Sequence, residues 1–309
     1  MHRLFPADFD GLLGRRSGSS AAALSNLGLP DLMYRQLDNA ELAKRLADIE
    51  EAIEKRPLRT VGADDPAVWE KGWGEVADSL RGRPVTLESL RPQYFHANVP
   101  CRLFGRLVQP ITPDFEYWTG VGVRQLIFDE FLGAWKRIVE FGCGTGLNLL
   151  LLARLLPNAD LVGCDWAAAS QRILVEMARQ TGGRIGARSF NMLTASGWDG
   201  TEIDRTTAVL TVHALEQVSG GWQPFLDYLL ARRPGFCLHV EPLLELYDGS
   251  QPYDDLARRY HMKRRYLQGF LPAIRALAAE GRAEILALRR VSFGGLYHEA
   301  YSVLAWRLV

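Results

Sequence analysis

The stretch Ile138–Asp165 reads IVEFGCGTGLNLLLLARLLPNADLVGCD and determines the fold. Arg137–Phe141 has the length and apolar character of a buried strand, and Leu147–Leu156 has helical length. Ala159–Cys164 is a second apolar run. Two strands joined by a helix are parallel, because the helical crossover returns the chain to the same end of the sheet. The stretch therefore predicts a parallel α/β sheet.

The alternation of strand and helix continues on both sides of this stretch. Further helices are predicted at Leu126–Trp135 and Gln171–Gln180, and further strands at Gly186–Phe190, Thr207–Val212 and Phe236–Val240. A parallel sheet with helices on both faces follows from this order.

The last part of the chain has a different pattern. Ala283–Val291 and Glu299–Leu308 are β-rich runs joined by Ser292–His298 without a crossover helix, which predicts an antiparallel pair. The fold class is therefore α/β, with a Rossmann-like seven-stranded sheet that is parallel except for an antiparallel C-terminal hairpin.

The N-terminal part is predicted to be a mainly helical accessory region or lid over residues 1–115. Asn39–Lys55 has helical periodicity, and a second helix should begin with Asp65 as its N-cap and Pro66 in its first turn. Residues 116–309 form the predicted sheet domain. A helical insertion is expected within it at about 250–281, where Pro272 should kink or split the helix.

Composition excludes several classes of partner. Lys plus Arg and Asp plus Glu number 36 each, so no net field attracts nucleic acid or an anionic membrane. No run approaches the ~20 apolar residues of a membrane span, and we expect a cytoplasmic protein. The four cysteines lack C-x-x-C spacing and are expected to be reduced core residues, so no metal site is predicted.

The segment Glu140–Gly146, EFGCGTG, predicts a ligand-binding turn between the first strand and its helix. Its glycines allow a ligand to lie against the backbone. The dinucleotide fingerprint would require glycine at position 147, where this chain has Leu147, and Glu140 would repel a pyrophosphate. S-adenosylmethionine (SAM) has no phosphate and carries a sulfonium and an ammonium, so a carboxylate favours it.

Two later strand ends complete the predicted cofactor site. Asp165 lies 19 residues after Gly146, where a carboxylate can accept hydrogen bonds from both ribose hydroxyls. Trp166 can cover an adenine face, and Asn191 can contact the adenine amino group. We therefore predict SAM as cofactor and S-adenosylhomocysteine as its product.

The stretch Ile138–Asp165 resembles the first two motifs of the class I SAM-dependent methyltransferase superfamily. A wider pattern resembles bacterial proteins named as sugar O-methyltransferases, and it comprises Arg91–Phe95, Gly142–Asn148, Asp165-Trp166, His239–Pro242 and Tyr260-His261. The resemblance implies methyl transfer. The motifs and the resemblance together predict as cofactor-binding residues Glu140, Gly142, Cys143, Gly144, Gly146, Asn148, Asp165, Trp166, Asn191, Met192 and His213.

Candidate general bases lie after the fourth and fifth strands and near the C-terminus. Strand alternation sends His239 and Glu241 to one face, so they can form a base and its orienting partner. The alternative is that His239 is a core residue and Glu241 caps the next segment. His261 and His298 are further candidates, because their segments can fold over the strand ends.

The predicted acceptor contacts are Tyr117, Glu216, Glu245 and Tyr260. An acidic rim of Glu241, Glu245 and Asp248 suits a cationic acceptor such as an amine or guanidine. A sugar hydroxyl fits equally well. A basic run, Arg258, Arg259, Lys263, Arg264 and Arg265, is interpreted as a solvated helix face or as a clamp for a substrate carboxylate or phosphate.

The function predicted from the sequence is methylation of an oxygen or nitrogen of a small polar molecule, such as a sugar, an amino acid or a biosynthetic intermediate. The partner is then a small-molecule acceptor, with a homodimer as a further expectation. The alternatives are N-methylation of a free amino acid or another amine, aminopropyl transfer from decarboxylated SAM, and non-catalytic SAM binding.

Overall fold

The structure is a computed structural model that describes residues 1–15, 19–58, 60, 65, 67–182 and 184–309. Its helices are α1 Pro6–Leu13, α2 Ser20–Ser25, α3 Asn39–Lys55, α4 Ala67–Ser79, α5 Phe115–Leu132, α6 Leu147–Leu155, α7 Ala168–Thr181, α8 Gln223–Arg232, α9 Pro252–Arg264 and α10 Phe270–Ala279. Its strands are β1 His2–Arg3, β2 Met33–Gln36, β3 Cys101–Leu103, β4 Arg106–Pro110, β5 Arg137–Phe141, β6 Asp160–Asp165, β7 Ile185–Asn191, β8 Ser196–Gly197, β9 Thr207–Val212, β10 Phe236–Val240, β11 Ala283–Arg289, β12 Phe293–Gly294 and β13 Val303–Leu308.

The large sheet has the strand order β11-β13-β10-β9-β5-β6-β7-β8. Strands β10, β9, β5, β6 and β7 pair in parallel, whereas β13 is antiparallel to both β10 and β11. The predicted fold class is confirmed, and the two-residue strand β8 adds an antiparallel edge. Because the parallel strands share one direction, the turns after β5, β6, β7 and β9 lie along the same edge of the sheet.

Helices cover both faces of the large sheet. Apolar side chains of α5, α6 and α7 pack with Ile138 and Leu161 on one face. Those of α8 and α10 pack with Val139 and Trp306 on the other face. Helix α10 lies between β10 and β11 in the chain, so it is the crossover that keeps these two strands parallel.

The N-terminal region differs from the mainly helical layer that the sequence predicts. Besides α1–α4 it contains a small antiparallel sheet with the order β1-β2-β4-β3-β12. Short β-prone runs interrupted by prolines gave little periodic signal in this region. Strand β12 comes from the C-terminal segment and pairs with β3 through Phe293 and Leu103, so the two parts of the chain share this sheet.

Helix α5 begins at Phe115 and ends at Leu132, earlier at both ends than Leu126–Trp135. Gly120 and Gly122 resemble helix breakers in the sequence. In the structure they allow close packing, because a Cβ at Gly122 would lie 2.7 Å from Phe9 and one at Gly120 would lie against the Tyr301 hydroxyl. Burial on all sides supplies the stabilisation that these glycines lack.

The predicted insertion is two helices, α9 and α10, and the break between them falls at residues 265–269. Gly269, with a φ of 82°, is the N-cap of α10. Pro272 therefore lies in the first turn of α10 and does not split a helix, because proline is tolerated there. Helix α3 has the predicted bounds. The expected start of α4 includes Pro66, which lies outside the described residues.

All four cysteines are buried and unpaired, as predicted. No helix in the described part of the chain is long and apolar enough to cross a membrane.

Candidate cofactor and acceptor site

The glycine turn after β5 has the conformation that its sequence predicts. Gly142 and Gly144 have φ values of 70° and 53°, in the left-handed region that favours glycine. The Cys164 carbonyl accepts hydrogen bonds from the backbone N–H groups of Gly142, at 2.8 Å, and Cys143, at 3.1 Å. The end of β6 therefore holds the turn in place.

The Asp165 carboxylate connects the turn to the next helix. It accepts hydrogen bonds from the backbone N–H groups of Gly144, at 2.8 Å, and Ala167, at 2.9 Å. Burial raises the pKa of Asp165 to about 6, against the lowering effect of these bonds. The carboxylate lines the cavity above the turn and retains lone pairs that can accept further hydrogen bonds.

Glu140 lies beneath the turn and contacts its helix. Its Oε1 accepts a hydrogen bond of 2.6 Å from Asn148 Nδ2. The second carboxyl oxygen of Glu140 and Asn148 Oδ1 have no hydrogen-bond partner among the residues that the structure describes. Burial raises the pKa of Glu140 to about 8. Asn148 lines the cavity and Glu140 does not, so Glu140 orients the asparagine that a ligand would touch.

A cavity of about 810 Å³ extends from the glycine turn to the C-terminal segment. This volume is within the range of pockets that hold small ligands. The predicted cofactor residues at the cavity wall are Gly142, Cys143, Gly144, Asn148, Asp165, Trp166, Asn191, Met192 and His213. Gly146 caps α6 just behind the turn.

Helix α4 covers the glycine turn. A Cβ at Gly144 would lie 3.1 Å from the Trp73 ring, and Trp73 stacks on Trp69 with ring centroids 5.2 Å apart. Glu70 accepts a hydrogen bond of 3.0 Å from the Ala169 N–H and fixes α4 on α7. Trp69 and Trp73 lie at helical spacing, which in the sequence indicates only an apolar packing stripe.

A histidine pair lies at the other end of the cavity. His261 Nε2 and His298 Nδ1 are 2.9 Å apart, and His298 lines the cavity whereas His261 is fully buried behind it. Burial lowers the pKa of both imidazoles, that of His261 to about 3. Both rings are therefore neutral at pH 7. Tyr260, a predicted acceptor contact, lines the cavity beside them.

His239 and Glu241, predicted as a general base and its orienting partner, do not face the cavity. His239 Nδ1 is 2.9 Å from Thr211 Oγ1 and its ring packs between Phe270 and Trp306. Glu241 accepts hydrogen bonds from three consecutive backbone N–H groups, those of residues 214–216, at 3.0–3.2 Å. Their shared strand face was predicted correctly, but His239 packs under α10 and Glu241 holds the segment after β9, and neither side chain lines the cavity.

Two of the predicted acceptor contacts also lie elsewhere. Tyr117 is fully buried and its hydroxyl donates to the Leu87 carbonyl, so it is a packing residue. Glu245 accepts a hydrogen bond from the Gly269 N–H at 3.0 Å and thus caps α10. Asp248 is bonded to Ser250 at 2.8 Å. The carboxylates of the predicted acidic rim therefore accept hydrogen bonds from other groups of the protein and do not line the cavity. Glu216 does line it.

The basic run of α9 is divided between two roles. Arg259 forms ion pairs with Glu50, at 3.0 Å, and Glu54, at 2.6 Å, both in α3. Lys263 donates to the Glu54 carbonyl at 3.0 Å. These contacts fix α9 on α3. Arg264, one turn from Tyr260, lines the cavity.

Sequence reasoning missed several residues of the cavity wall: Trp69, Trp73, Tyr94, Glu116, Arg124, Tyr297 and Tyr301. Arg124 had a visible signal, because it is the one cation of α5, a helix in which most residues are buried. Within the described residues, no group of three or more His, Cys, Asp or Glu side chains is arranged to hold a metal ion.

No protein-family model matches this chain. A 106-residue part is 29% identical to an uncharacterized protein of Synechococcus sp., covering 34% of this chain and 24% of that protein, so the match spans about a quarter of the relative's length.

Similar solved structures include a methyltransferase domain, a SAM-dependent methyltransferase and a domain with S-adenosylhomocysteine (SAH) bound. The methyltransferase domain of bacterial CtHen1 is 15% identical, covers 61% of this chain and 97% of its own, and has a TM-score of 0.45. A SAM-dependent methyltransferase from Aquifex aeolicus is 11% identical, with 60% and 89% coverage and a TM-score of 0.43. The N-terminal domain of EvdMO1 with SAH bound is 18% identical, with 61% and 81% coverage and a TM-score of 0.40.

Removal of the Glu241 carboxylate is expected to destabilise the protein strongly. In Glu241→Ala three buried backbone N–H groups lose their acceptor, at about 1–3 kcal/mol each, so the free energy of unfolding should fall by at least ~3 kcal/mol. Urea unfolding measures this change. Glu245→Ala is the matched control, because it frees a single N–H and should cost about 1 kcal/mol. Equal losses in the two variants would contradict the structural role of Glu241.

Glu140→Gln is expected to reduce the loss of stability on going from pH 6.5 to 8.5. Because burial raises the pKa of Glu140 to about 8, the folded protein holds a proton that the unfolded chain has released. This group therefore lowers stability progressively as the pH rises from its unfolded pKa toward 8. Between these two pH values, urea unfolding should show that the wild type loses on the order of 1–2 kcal/mol more of its free energy of unfolding than Glu140→Gln does. Identical pH dependence would show that Glu140 is already ionised at pH 6.5.

Proposed function

We propose that this chain is a SAM-dependent methyltransferase that methylates an oxygen atom of a small molecule. The observation that carries the proposal is that one cavity contains both the glycine turn with Asp165 and, at its far end, the neutral imidazole of His298. Its volume of about 810 Å³ accommodates a nucleoside cofactor together with a small acceptor.

The residues around the glycine turn fit SAM. Asp165 would bind the ribose hydroxyls, and Trp166 and Asn191 would contact the adenine. Asn148 Oδ1, which has no hydrogen-bond partner among the described residues, would accept from the ammonium group. Arg124 is 4% exposed, and its Nε and Nη1 likewise have no partner in the described part of the chain, so it would bind the carboxylate of the methionine tail. A buried donor or acceptor without a hydrogen-bond partner destabilises the folded protein, and a zwitterionic ligand can supply partners for both kinds of group.

When bound, SAM would supply an electrophilic methyl group to the acceptor oxygen, with S-adenosylhomocysteine as the product. The acceptor hydroxyl would lose its proton, and His298 would accept it. For this, His298 Nδ1 must carry a hydrogen and donate it to His261 Nε2, which leaves His298 Nε2 free to accept. His261 thus acts as a positioning residue that fixes the tautomer of His298.

Three alternatives are less consistent with the site. Aminopropyl transfer uses decarboxylated SAM, which would leave Arg124 without an anion. A cationic amine acceptor was suggested by the acidic rim, but Glu245 and Asp248 are engaged outside the cavity. A non-catalytic SAM-binding protein would have no use for a neutral histidine pair at the acceptor end.

The cofactor assignment predicts that S-adenosylhomocysteine binds and that Arg124 contributes to its affinity. Arg124→Gln should weaken S-adenosylhomocysteine binding about 10- to 100-fold, the usual effect of losing a charge-assisted hydrogen bond. It should leave 5′-methylthioadenosine, which lacks the carboxylate, unaffected. Isothermal titration calorimetry measures both ligands, with NAD⁺ as a negative control.

A matched control for Arg124→Gln is Arg289→Gln, because Arg289 pairs with Glu130 away from the cavity. It should not change either affinity. The proposed function is wrong if the wild-type protein binds NAD⁺ but not S-adenosylhomocysteine, or binds neither.

The base assignment predicts that His298→Gln lowers kcat about 100-fold or more and leaves the affinity for S-adenosylhomocysteine unchanged. His239→Gln is the contrasting variant, because His239 packs in the core and its loss should lower stability but not kcat per folded molecule. Both rates are measured with a hydroxyl compound found by a methyl-transfer screen. Equal effects on kcat would exclude His298 as the base.

A further inference from the structure

Two arginines line the cavity among the residues that the structure describes, and no described lysine does. Arg124 lies on α5 and Arg264 on α9, so they approach the cavity from different elements. Neither guanidinium has a carboxylate within 4 Å among the described residues, in contrast to Arg259 and Arg290, which each form short ion pairs. The cavity therefore presents two cations that the protein leaves uncompensated.

Aromatic rings hold each guanidinium in place. Arg124 lies over the Tyr301 ring at 5.1 Å. Arg264 lies over Tyr266 at 4.9 Å and over Tyr260 at 5.6 Å, and its Nη1 donates to the Tyr260 hydroxyl at 2.9 Å. The buried Nε of Arg264 has no hydrogen-bond partner within the described ranges of the chain. A planar guanidinium fixed in this way is preorganised to bind a carboxylate through two parallel hydrogen bonds.

The two carboxyl groups that interact with these arginines cancel their charge only in part. Burial, reinforced by the neighbouring Glu241, raises the pKa of Glu216 to about 8. Burial also raises the pKa of Glu116 to about 7, although Arg124 acts in the opposite direction. Asp165, with a pKa of about 6, is mainly ionised at neutral pH, but it is bonded to the glycine turn. Because Glu216 is mainly protonated at neutral pH, the part of the cavity at Arg264 favours an anionic group.

SAM has a single carboxylate, which Arg124 would bind, so Arg264 remains for the acceptor. We propose that the methyl acceptor is a small hydroxylated carboxylic acid, and that Arg264 binds its carboxylate. This inference rests on the proposed function and specifies its substrate class. A single guanidinium neutralises the one charge of a carboxylate, whereas it would leave one negative charge of a phosphate dianion uncompensated in the cavity.

The arrangement around Arg264 also places the acceptor relative to the base. Tyr260, to which Arg264 is bonded, has its ring centroid 5.3 Å from that of His298. On its other side Tyr260 stacks on Tyr297 with centroids 4.6 Å apart and ring planes at 6°. An acid held at Arg264 therefore has its hydroxyl end within a few ångströms of His298, and the tyrosines provide the apolar wall between them.

The test uses the full chain saturated with S-adenosylhomocysteine and a panel of hydroxylated aromatic and sugar acids, each paired with its own primary amide. Ligand-observed NMR and calorimetry measure the affinity of each member. We expect at least one acid to bind, about 10-fold or more tightly than its amide. Arg264→Gln should remove this preference, and Arg264→Lys should restore only part of it, because lysine keeps the charge but not the paired donors.

Arg258→Gln is the matched control, because Arg258 is a neighbouring arginine of α9 whose Nη1 lies 3.4 Å from the Tyr247 carbonyl and which does not line the cavity. It should preserve the preference for acids. The wild type and Arg264→Gln should have the same affinity for S-adenosylhomocysteine. If the wild type does not bind S-adenosylhomocysteine, the proposed function itself is overturned. The inference alone is overturned if the cofactor product binds but no acid does, if amides bind as well as acids, or if Arg264→Gln keeps the preference.

Discussion

The buried carboxylate of Asp165 holds the cofactor end of the molecule together. It lies at the end of β6 and bonds to backbone groups of the glycine turn and of the segment that begins α7. The glycine turn, helix α7 and helix α4, which packs on α7, therefore all depend on this one side chain. Burial opposes its ionisation, and the backbone bonds compensate for only part of that cost. Because its oxygens retain free lone pairs, the same group can still accept hydrogen bonds from a ligand.

Most of the large sheet could be predicted from the sequence, because its signals are local. Apolar runs such as Thr207–Val212 and Phe236–Val240 have the length of buried strands and are separated by helical segments, and the structure has both strands with these bounds. The small sheet could not be predicted in this way. Its strands are short, and β12 pairs with a partner that lies far away in the sequence, which no periodicity records.

The candidate site shows the same division between local and long-range information. The glycine turn, Asp165 and Asn191 follow from strand ends. The error at His239 and Glu241 came from depth, because alternation identifies a strand face but not whether a residue stands at the open edge or under a helix. Arg124, Arg264 and the tyrosines come from three separate segments, and only the tertiary structure brings them to one cavity. The local signals among them are the cation in helix α5, the basic run that includes Arg264, and Tyr260.

The pairing of β12 with β3 also has a consequence for the order in which the molecule can be built. A chain leaving the ribosome completes β5, α6 and β6 well before β12 is synthesised, so the cofactor turn can form early from neighbouring segments. The loop that carries His298 follows β12 directly, and its position requires that strand to close on the N-terminal sheet. Contacts between such distant segments form slowly, because a long loop must lose its entropy first. The acceptor end of the cavity is therefore completed at the end of folding. It forms when β12 pairs with β3 in the small sheet that the N-terminal strands have already formed.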